Sequence, residues 1–235
     1  SQFDAWANYH LGLRHLYRFT ATDNAAARAH FQRAITQDPT LARAEAGLSF
    51  TSFIDAFLRI APDIPAASRA ARAHAERGLE RDALDPFVNF TMGRAHWLVN
   101  DAEGARPWLA RAVDINPNYA QGLYASAFTS MLIGDSSRCE AEVQAALKLS
   151  PIDPLLYGMY GVRAQMLIQT GDHAAASEWG EKAASTPGAH HLIAMIAAVS
   201  CKLAGADARA TRWADVARSN RANVPAQDYA SAFPI

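Results

Sequence analysis

The sequence predicts an all-α fold in which helix–turn–helix units repeat along the chain. Pro117 and Pro151 each close a helical stretch, and they lie 34 residues apart. In the stretch before Pro117, small residues such as Gly93 and Ala105 stand where two antiparallel helices would touch. Half of the 235 residues are hydrophobic and alanine is abundant, which favours helix over sheet. Because one helix pair cannot bury its own apolar face, we expect neighbouring pairs to stack on it.

The stretch over residues 87–117 carries the motif that defines the repeat. It reads FVNFTMGRAHWLVNDAEGARPWLARAVDINP, with small and large residues at spacings of four, three and five: Ala105, Leu109, Ala112 and Pro117. This resembles the tetratricopeptide repeat (TPR), whose pattern is W-x2-L-G-x2-Y, then A-x3-F, then a closing proline. The resemblance implies a TPR-like right-handed α-solenoid of about six helix–turn–helix repeats with a C-terminal capping segment. Since six such pairs occupy about 204 residues, we expect one superhelical domain over residues 1–235.

The other repeats can be placed by the same spacing. A first helix is predicted over residues 4–19, and Asp23 or Asn24 is the predicted cap of the second helix. The second repeat starts near Ala42, and its helices are joined by segment 59–66, which contains two prolines and is the longest predicted connection.

Two repeats depart from the regular spacing. Gly12 lies 15 residues before Ala27, and Gly161 lies 15 residues before Ala176, three more than in the stretch over residues 87–117. We therefore expect an extended turn between the two helices of repeats one and five.

The last repeat also departs from the pattern at its end. It has no proline at the usual closing position, and Val224-Pro225 comes slightly later. The tail 226–235 is predicted to pack Tyr229 and Phe233 onto the last helix pair as a cap, because terminal repeats are commonly atypical.

Composition narrows the class of protein. The net charge of −1 gives no reason to expect binding to nucleic acid or to an anionic membrane. The longest uncharged apolar run, residues 192–201, is about half of what a membrane span needs. Two cysteines without a disulfide framework suit a reducing compartment, so we expect a cytoplasmic location. The chain opens directly into a predicted helix, and we expect it to be a piece of a longer protein.

No catalytic constellation is visible. P-loop, GxGxxG, GxSxG, HExxH and CxxC motifs are absent from the sequence. His190 and His191 are adjacent, so on a helix their rings point about 100° apart and suit a shared metal poorly. Cys139 and Cys201 fall at packing positions and are predicted to be buried structural thiols. We expect no enzyme activity, no cofactor and no metal.

The remaining candidate is the concave surface, which in this architecture is lined by the first helix of each pair. An arginine flanked by Trp and Phe resembles the anchors of protein interfaces. Arg43 and Phe87 also lie, by helical spacing, on the predicted concave side of the first helices. The alternative for all of the residues on this side is that they pack against neighbouring helices. The predicted partner-binding residues are Phe50, Phe53, Phe90, Arg94, Trp97, Gln121, Tyr124, Phe128 and Met131.

Several longer segments resemble one subgroup of repeat proteins. These are AWANYHLGLRHLYRFT, AARAHFQRAITQDPTLARAEAGLSF, INPNYAQGLYASAF, LSPIDPLLYGMYGVRAQ and TPGAHHLIAMIAA. They look like the C-terminal TPR half of bacterial winged-helix (ToxR/OmpR-like) transcriptional regulators. A similar half follows the catalytic domain of some class III adenylate cyclases. The resemblance implies a regulatory domain that binds a protein, peptide or effector, or that self-associates as a homodimer, without contacting nucleic acid or membrane itself. The alternative is the regulatory tail of a nucleotide cyclase.

Overall fold

The computed structural model describes residues 1–221 and 226–234, and within them it contains thirteen α-helices and no strand. The first six helices are α1 (Gln2–Leu16), α2 (Ala21–Gln37), α3 (Ala42–Phe57), α4 (Ile64–Arg81), α5 (Pro86–Trp97) and α6 (Ala102–Ile115). The others are α7 (Ala120–Ile133), α8 (Ser136–Leu149), α9 (Leu156–Gln169), α10 (His173–Ala184), α11 (His191–Leu203), α12 (Asp207–Asn220) and α13 (Ala226–Ala232). Helices α1 to α12 follow one another as six pairs with short connections, which confirms the predicted all-α class and repeat number.

The chain divides into two compact units. The first unit comprises Ser1–Ala125 and the second comprises Ser126–Ile235. In the first unit α3 packs on α4, α1 packs on both α2 and α3, and α5 packs on α3, α4 and α6. In the second unit α9 and α10 pack against each other and against α11, which also pairs with α12. Each helix pair therefore buries its apolar side against a neighbouring pair within its unit.

Short polar side chains start most of the helices. An aspartate caps the first turn of five of them: Asp63 on α4, Asp85 on α5, Asp101 on α6, Asp135 on α8 and Asp172 on α10. The prediction that Asp23 or Asn24 caps the second helix is wrong. The Thr20 side chain accepts a hydrogen bond from the backbone N–H of Asp23, so α2 begins one turn earlier, at Ala21.

The expected extended turns are not present. The connection between α1 and α2 covers residues 17–20, as long as residues 98–101 between α5 and α6. The three additional residues of the first repeat are helical, because α2 has 17 residues where α6 has 14. In the fifth repeat the additional residues extend α9 beyond Gly161, and only residues 170–172 connect it to α10.

Glycines allow the closest approach between helices. Gly12 on α1 and Gly47 on α3 both face the ring of Phe31, and a Cβ atom at either position would lie within 2.6 Å of it. In the third repeat a Cβ atom on Gly93 would lie 2.6 Å from a Leu109 side-chain carbon, which confirms the predicted contact between α5 and α6. Both Phe31 and Leu109 are fully buried. Small residues on inner helices thus make room for large residues on outer helices.

Two further predictions about connections can be compared with the structure. The longest connection between paired helices covers residues 58–63, since Ile64 and Pro65 already belong to α4. Residues 224 and 225, predicted to close the last repeat, lie outside the described residues.

The tail forms α13, which packs on α11 and also reaches Phe128 on α7 and Gln165 on α9. The tail therefore packs on the last pair through α11, as predicted, while its Tyr229 and Phe233 side chains also reach the first helices of the two preceding pairs.

Candidate functional site

The first unit contains a buried cluster of rings around one guanidinium group. Arg94, on α5, places its guanidinium carbon 4.2 Å from the Phe50 ring centroid and 3.9 Å from that of Phe53, both on α3. The Phe90 and Trp97 rings lie 5.2 Å and 5.5 Å away. Arg94 is only 5% exposed. A guanidinium group between aromatic faces gains cation–π attraction. We call these five side chains, Arg94, Phe50, Phe53, Phe90 and Trp97, the arginine cluster.

The predicted partner-binding residues are mostly inside the protein. Phe50, Phe53, Phe90, Arg94, Trp97, Gln121, Phe128 and Met131 are buried, and Tyr124 is half-buried. Tyr124 and the five members of the arginine cluster belong to the first unit together with Gln121, whereas Phe128 and Met131 belong to the second. The structure thus brings five of them together, and a role for any of the nine in partner binding stays a prediction.

Beside the arginine cluster, the first unit has an open cavity of about 230 Å³. Its lining comes from α1 and the residue after it, the starts of α3 and α5, and the segment before α7: Tyr9, Leu13, Tyr17, Arg43, Pro86, Phe87, Asn116 and Tyr119. Tyr119 connects the cavity to the cluster, because its ring lies 5.6 Å from that of Phe90. We call this space the tyrosine cavity.

An ion pair offsets the positive charge of the tyrosine cavity. Arg43 Nε donates a hydrogen bond of 2.5 Å to Asp85 Oδ2, while Asp85 Oδ1 accepts from the backbone N–H of Phe87 at the start of α5. The Asp85 carboxylate is buried, and these two hydrogen bonds satisfy both of its oxygens. Since the arginine is already paired, the cavity has no excess charge with which to attract a free anion.

Burial favours the neutral form of two tyrosine hydroxyls of the cavity, those of Tyr9 and Tyr119. Burial raises the pKa of Tyr9 to about 12, and burial also raises the pKa of Tyr119 well above its usual range. Tyr17 donates a hydrogen bond of 2.9 Å to Gln121 Oε1. The cavity therefore presents neutral hydroxyl groups and ring faces, which suit amide groups and apolar side chains.

The helical spacing predicts Arg43 and Phe87 on the concave surface, but it does not predict the other residues that line the tyrosine cavity. Tyr9 lies in α1 and Tyr17 directly follows it, while Asn116 and Tyr119 come from the segment before α7, about a hundred residues later in the chain. One signal was available: Tyr9 and Tyr17 stand eight residues apart on one face of a helix, as expected for a stripe toward one neighbour.

Residues considered for chemistry occupy structural positions. Cys139 and Cys201 are both fully buried, as predicted, and burial raises the pKa of the Cys139 thiol to about 12 and also raises that of Cys201. Such thiols react slowly because the thiolate is the nucleophile. His190 and His191 have ring centroids 6.0 Å apart. Within residues 1–221 and 226–234, no three His, Cys, Asp or Glu side chains are placed to hold a metal ion.

In the second unit, polar side chains of the first helices are hydrogen-bonded to neighbouring elements. Ser126 and Ser130 on α7 donate hydrogen bonds of 2.6 Å and 2.8 Å to the Glu142 carboxylate. Gln165 Oε1 on α9 accepts a hydrogen bond of 2.7 Å from the Tyr229 hydroxyl on α13. Burial raises the pKa of Tyr229 to about 12, so this hydroxyl stays a donor.

An ion pair connects α13 with the end of α12. Arg221 donates a hydrogen bond of 2.7 Å to the buried carboxylate of Asp228, and the same guanidinium group lies 3.3 Å from His191 Nε2. Burial and the adjacent Arg221 charge lower the pKa of His191 to about 4, although Asp228 acts in the opposite direction. His191 is therefore neutral at pH 7.

None of the helices in the described part of the chain is both long enough and apolar enough to cross a membrane. No family model matches the sequence, and no curated protein matches it.

Solved structures do match the fold. A thermophilic TPR protein from Thermus thermophilus is 18% identical, with a TM-score of 0.65 over 84% of this chain and 99% of that one. The Pseudomonas aeruginosa pilF structure is 16% identical, with a TM-score of 0.59 over 96% of this chain and 95% of that one. A chain of the Cut9–Hcn1 hetero-tetramer of the APC/C is 13% identical, with a TM-score of 0.73 over 97% of this chain and 42% of that one. The protein therefore has the fold of a TPR-like helical solenoid.

Proposed function

We propose that this chain is a non-catalytic interaction domain that binds a segment of a protein partner on the first helices of its repeats. The observation that carries the proposal is the tyrosine cavity, which opens beside the arginine cluster in the first unit. A rigid set of buried rings next to an open, hydroxyl-lined cavity resembles the anchoring pockets of protein interfaces, where one aromatic or apolar side chain supplies much of the affinity.

The size and charge of the tyrosine cavity favour a peptide side chain over other ligands. Pockets for drug-sized molecules usually exceed about 300 Å³, so a cavity of about 230 Å³ suits one anchor residue of a longer segment better. The Arg43–Asp85 pair offsets the charge that would attract phosphate or a free carboxylate. The net charge of −1 likewise gives no support to nucleic-acid or anionic-membrane binding.

The proposal can be tested with a displayed library of random dodecamer peptides selected against the immobilised chain. Binding of the selected peptides would be measured by calorimetry against Tyr17→Ala and Asn116→Ala, two half-buried residues of the cavity rim. We expect both variants to weaken binding at least tenfold. Ile152→Ala, at a position 91% exposed in the second unit, is the control and should leave affinity unchanged. If no peptide is selected, or if the rim variants bind as well as wild type, the proposal is wrong.

For the biological context we propose the regulatory domain of a cytoplasmic bacterial transcriptional regulator. The support is the resemblance of the five segments quoted above to the C-terminal half of winged-helix regulators. The nucleotide-cyclase tail is the alternative, and the reading frame upstream of Ser1 distinguishes the two. A winged-helix pattern upstream would support the regulator, and paired metal-binding aspartates would support the cyclase.

Self-association is the second form that the proposed interaction can take. The outer side of α1 exposes Phe3, Trp6 and Leu11, of which Phe3 is 80% exposed. Light scattering coupled to size exclusion in reducing buffer would measure the mass directly. A dimer that Phe3→Ser and Trp6→Ser convert to a monomer would assign α1 to the interface. A wild-type monomer of 25.4 kDa would leave the tyrosine cavity as the proposed binding surface.

A further inference from the structure

Helix α13 covers the first helices of the second unit in a manner typical of a bound peptide. The Tyr229 hydroxyl donates to Gln165 on α9, and the Phe233 ring lies 6.0 Å from the Phe128 ring on α7. The helix also packs on α11. We call the surface of α7, α9 and α11 that α13 covers the tail-binding face.

The contacts of α13 come from one side only. Asp228, Ala232 and Phe233 are buried, while Gln227 and Ser231 are exposed. Tyr229 and Phe233 stand one helical turn apart with ring centroids separated by 5.1 Å, so they form a single aromatic pair. This is the arrangement by which an amphipathic helix binds a groove, with anchor residues at i and i+4.

The tail provides hydrogen-bond partners for only some of the polar atoms on the tail-binding face. Gln165 is 1% exposed, and its Nε2 atom has no hydrogen-bond partner among the described residues. Whichever way the amide is turned, the single hydroxyl of Tyr229 can pair with one end of it. A buried amide donor without an acceptor costs about 1–3 kcal/mol, so a segment that supplied both groups would be favoured over α13.

The helix is also too short to be stable by itself. It has seven residues, whereas isolated helices below about 12–15 residues are marginal in water, so its helicity depends on the contacts with the tail-binding face. A short segment tethered to the chain is held by an effective concentration of about a millimolar, which a partner with stronger contacts can overcome.

We propose that the tail-binding face is a docking site for a short amphipathic helix of a protein partner. That helix carries a tyrosine and a phenylalanine four residues apart, and α13 is the intramolecular occupant that it displaces. The inference rests on the proposed function, since it assigns a second binding surface and its regulation to an interaction domain. The sequence QDYASAF of the tail serves as the template of the recognised motif.

The experiment uses a fluorescein-labelled peptide of residues 226–234, AQDYASAFP, as the probe. Its binding is measured by fluorescence anisotropy to the full-length wild type and to a full-length released-tail variant, Tyr229→Ser with Phe233→Ala. We expect at least tenfold tighter binding to the released-tail variant, because its own tail no longer competes. A full-length control with Gln227→Ala and Ser231→Ala changes only exposed tail positions and should bind the probe like wild type.

Two further arms test the chemistry of the face. A probe that itself carries Tyr229→Ser and Phe233→Ala should bind at least tenfold more weakly to the released-tail variant. Adding Gln165→Leu to that variant should weaken binding of the intact probe several-fold by removing the hydrogen-bonding amide. Circular dichroism checks helicity, and if the double substitution unfolds the second unit, Phe233→Ala alone takes its place.

Equal binding to wild type and to a folded released-tail variant would overturn the inference, and so would no binding to either at millimolar concentration. The outcome is separable from that of the proposed function, because the probe is the chain's own segment and the face belongs to the second unit. If library peptides bind through the tyrosine cavity while the tail probe fails, only the docking of the tail-like helix is wrong. If both fail, the proposed function is wrong as well.

Discussion

The two units use the same repeat but fill its inner side differently. In the first unit large rings on α3 and α5 pack around Arg94, and they leave the tyrosine cavity open beside them. In the second unit Phe128 on α7 and Gln165 on α9 lie under the tail, which adds the rings of Tyr229 and Phe233. The repeat pattern fixes where helices touch, whereas the inner positions are free to vary because they face no obligatory neighbour.

This difference separates two ways of covering the first helices of a unit with aromatic side chains. The rings of the first unit belong to the repeats themselves, so they cannot leave without unfolding a helix pair. In the second unit the Tyr229 and Phe233 rings belong to the short tail around the seven-residue helix α13, which can leave while every helix pair stays intact. We therefore expect substitutions in the first unit to reduce global stability most, and substitutions in α13 to act locally.

The largest expected effect is that of Phe31→Ala. The ring is fully buried between Gly12 and Gly47, where no other side chain can enter to fill the space, so we expect a loss of about 3–5 kcal/mol in the free energy of unfolding. Urea unfolding of the full chain measures it. Ile152→Ala, at an exposed position, should change stability by less than about 0.5 kcal/mol. A loss below about 1 kcal/mol for Phe31→Ala would contradict the view that the first unit is held by its own rings.

A pH effect of somewhat smaller size is expected in the second unit. The folded pKa of His191 is about 4 and the unfolded value is about 6.5, so the unfolded chain binds the proton more readily between these values. The stability contributed by neutral His191 is present above pH 6.5 and is lost as the pH falls toward 4, by at most about 3 kcal/mol.

The comparison of wild type with His191→Gln isolates this effect from that of other titrating groups. The stability difference between about pH 7 and about pH 4.5 should be smaller in the variant. His10→Gln, at an exposed position in the first unit, should keep the wild-type pH dependence. If His191→Gln and wild type lose the same stability on acidification, then His191 does not carry the effect.

The contact between α5 and α6 gives the third prediction. Gly93→Leu adds a side chain where Leu109 already lies 2.6 Å from the position of a Cβ atom, so overpacking should cost about 1–3 kcal/mol. Thermal melting measures the change, and an unchanged melting temperature would refute this placement. Gln144→Leu adds the same side chain at an exposed position of α8 and should leave the melting temperature nearly unchanged.

The smallest effect is expected at Tyr229. Tyr229→Phe removes the hydroxyl that donates to Gln165 but keeps the ring, so α13 should lose about 0.5–1.5 kcal/mol of local stability. Hydrogen exchange of the amides in residues 226–232 measures it, and the exchange of α3 and α5 should not change. Faster exchange throughout both units would show that α13 is part of the global core, contrary to the contrast between the two units.

Local signals made the repeat architecture predictable from the sequence. The proline period and the small residues on facing helices are set within one helix pair, so the six pairs and the contact of Gly93 with α6 followed from spacing alone. Spacing cannot tell a longer loop from a longer helix, however. The spacing before Ala27 predicts a longer turn, whereas the three additional residues are helical because Thr20 caps α2 and the helix begins at Ala21.

The tyrosine cavity and the position of the tail were not predictable in this way. Tyr17 and Gln121 are hydrogen-bonded although 104 residues separate them, and Tyr229 reaches Gln165 across 64 residues. Contacts at such a separation depend on how successive helix pairs are rotated, and that rotation is not encoded in the motif of a single repeat. For the same reason, the sequence does not show whether aromatic side chains on the first helices, such as Phe50 and Trp97, are exposed on the concave surface or buried against neighbouring helices.

The buried state of the two native thiols has a practical consequence for labelling. Since Cys139 and Cys201 are enclosed and their pKa values are raised, a maleimide reagent at neutral pH should react far faster with a cysteine introduced at an exposed position. Ser231→Cys on the outer side of α13 and Gln144→Cys on α8 are such positions, and both side chains point to solvent. A pair of spectroscopic labels can thus report the departure of α13 in the otherwise native chain.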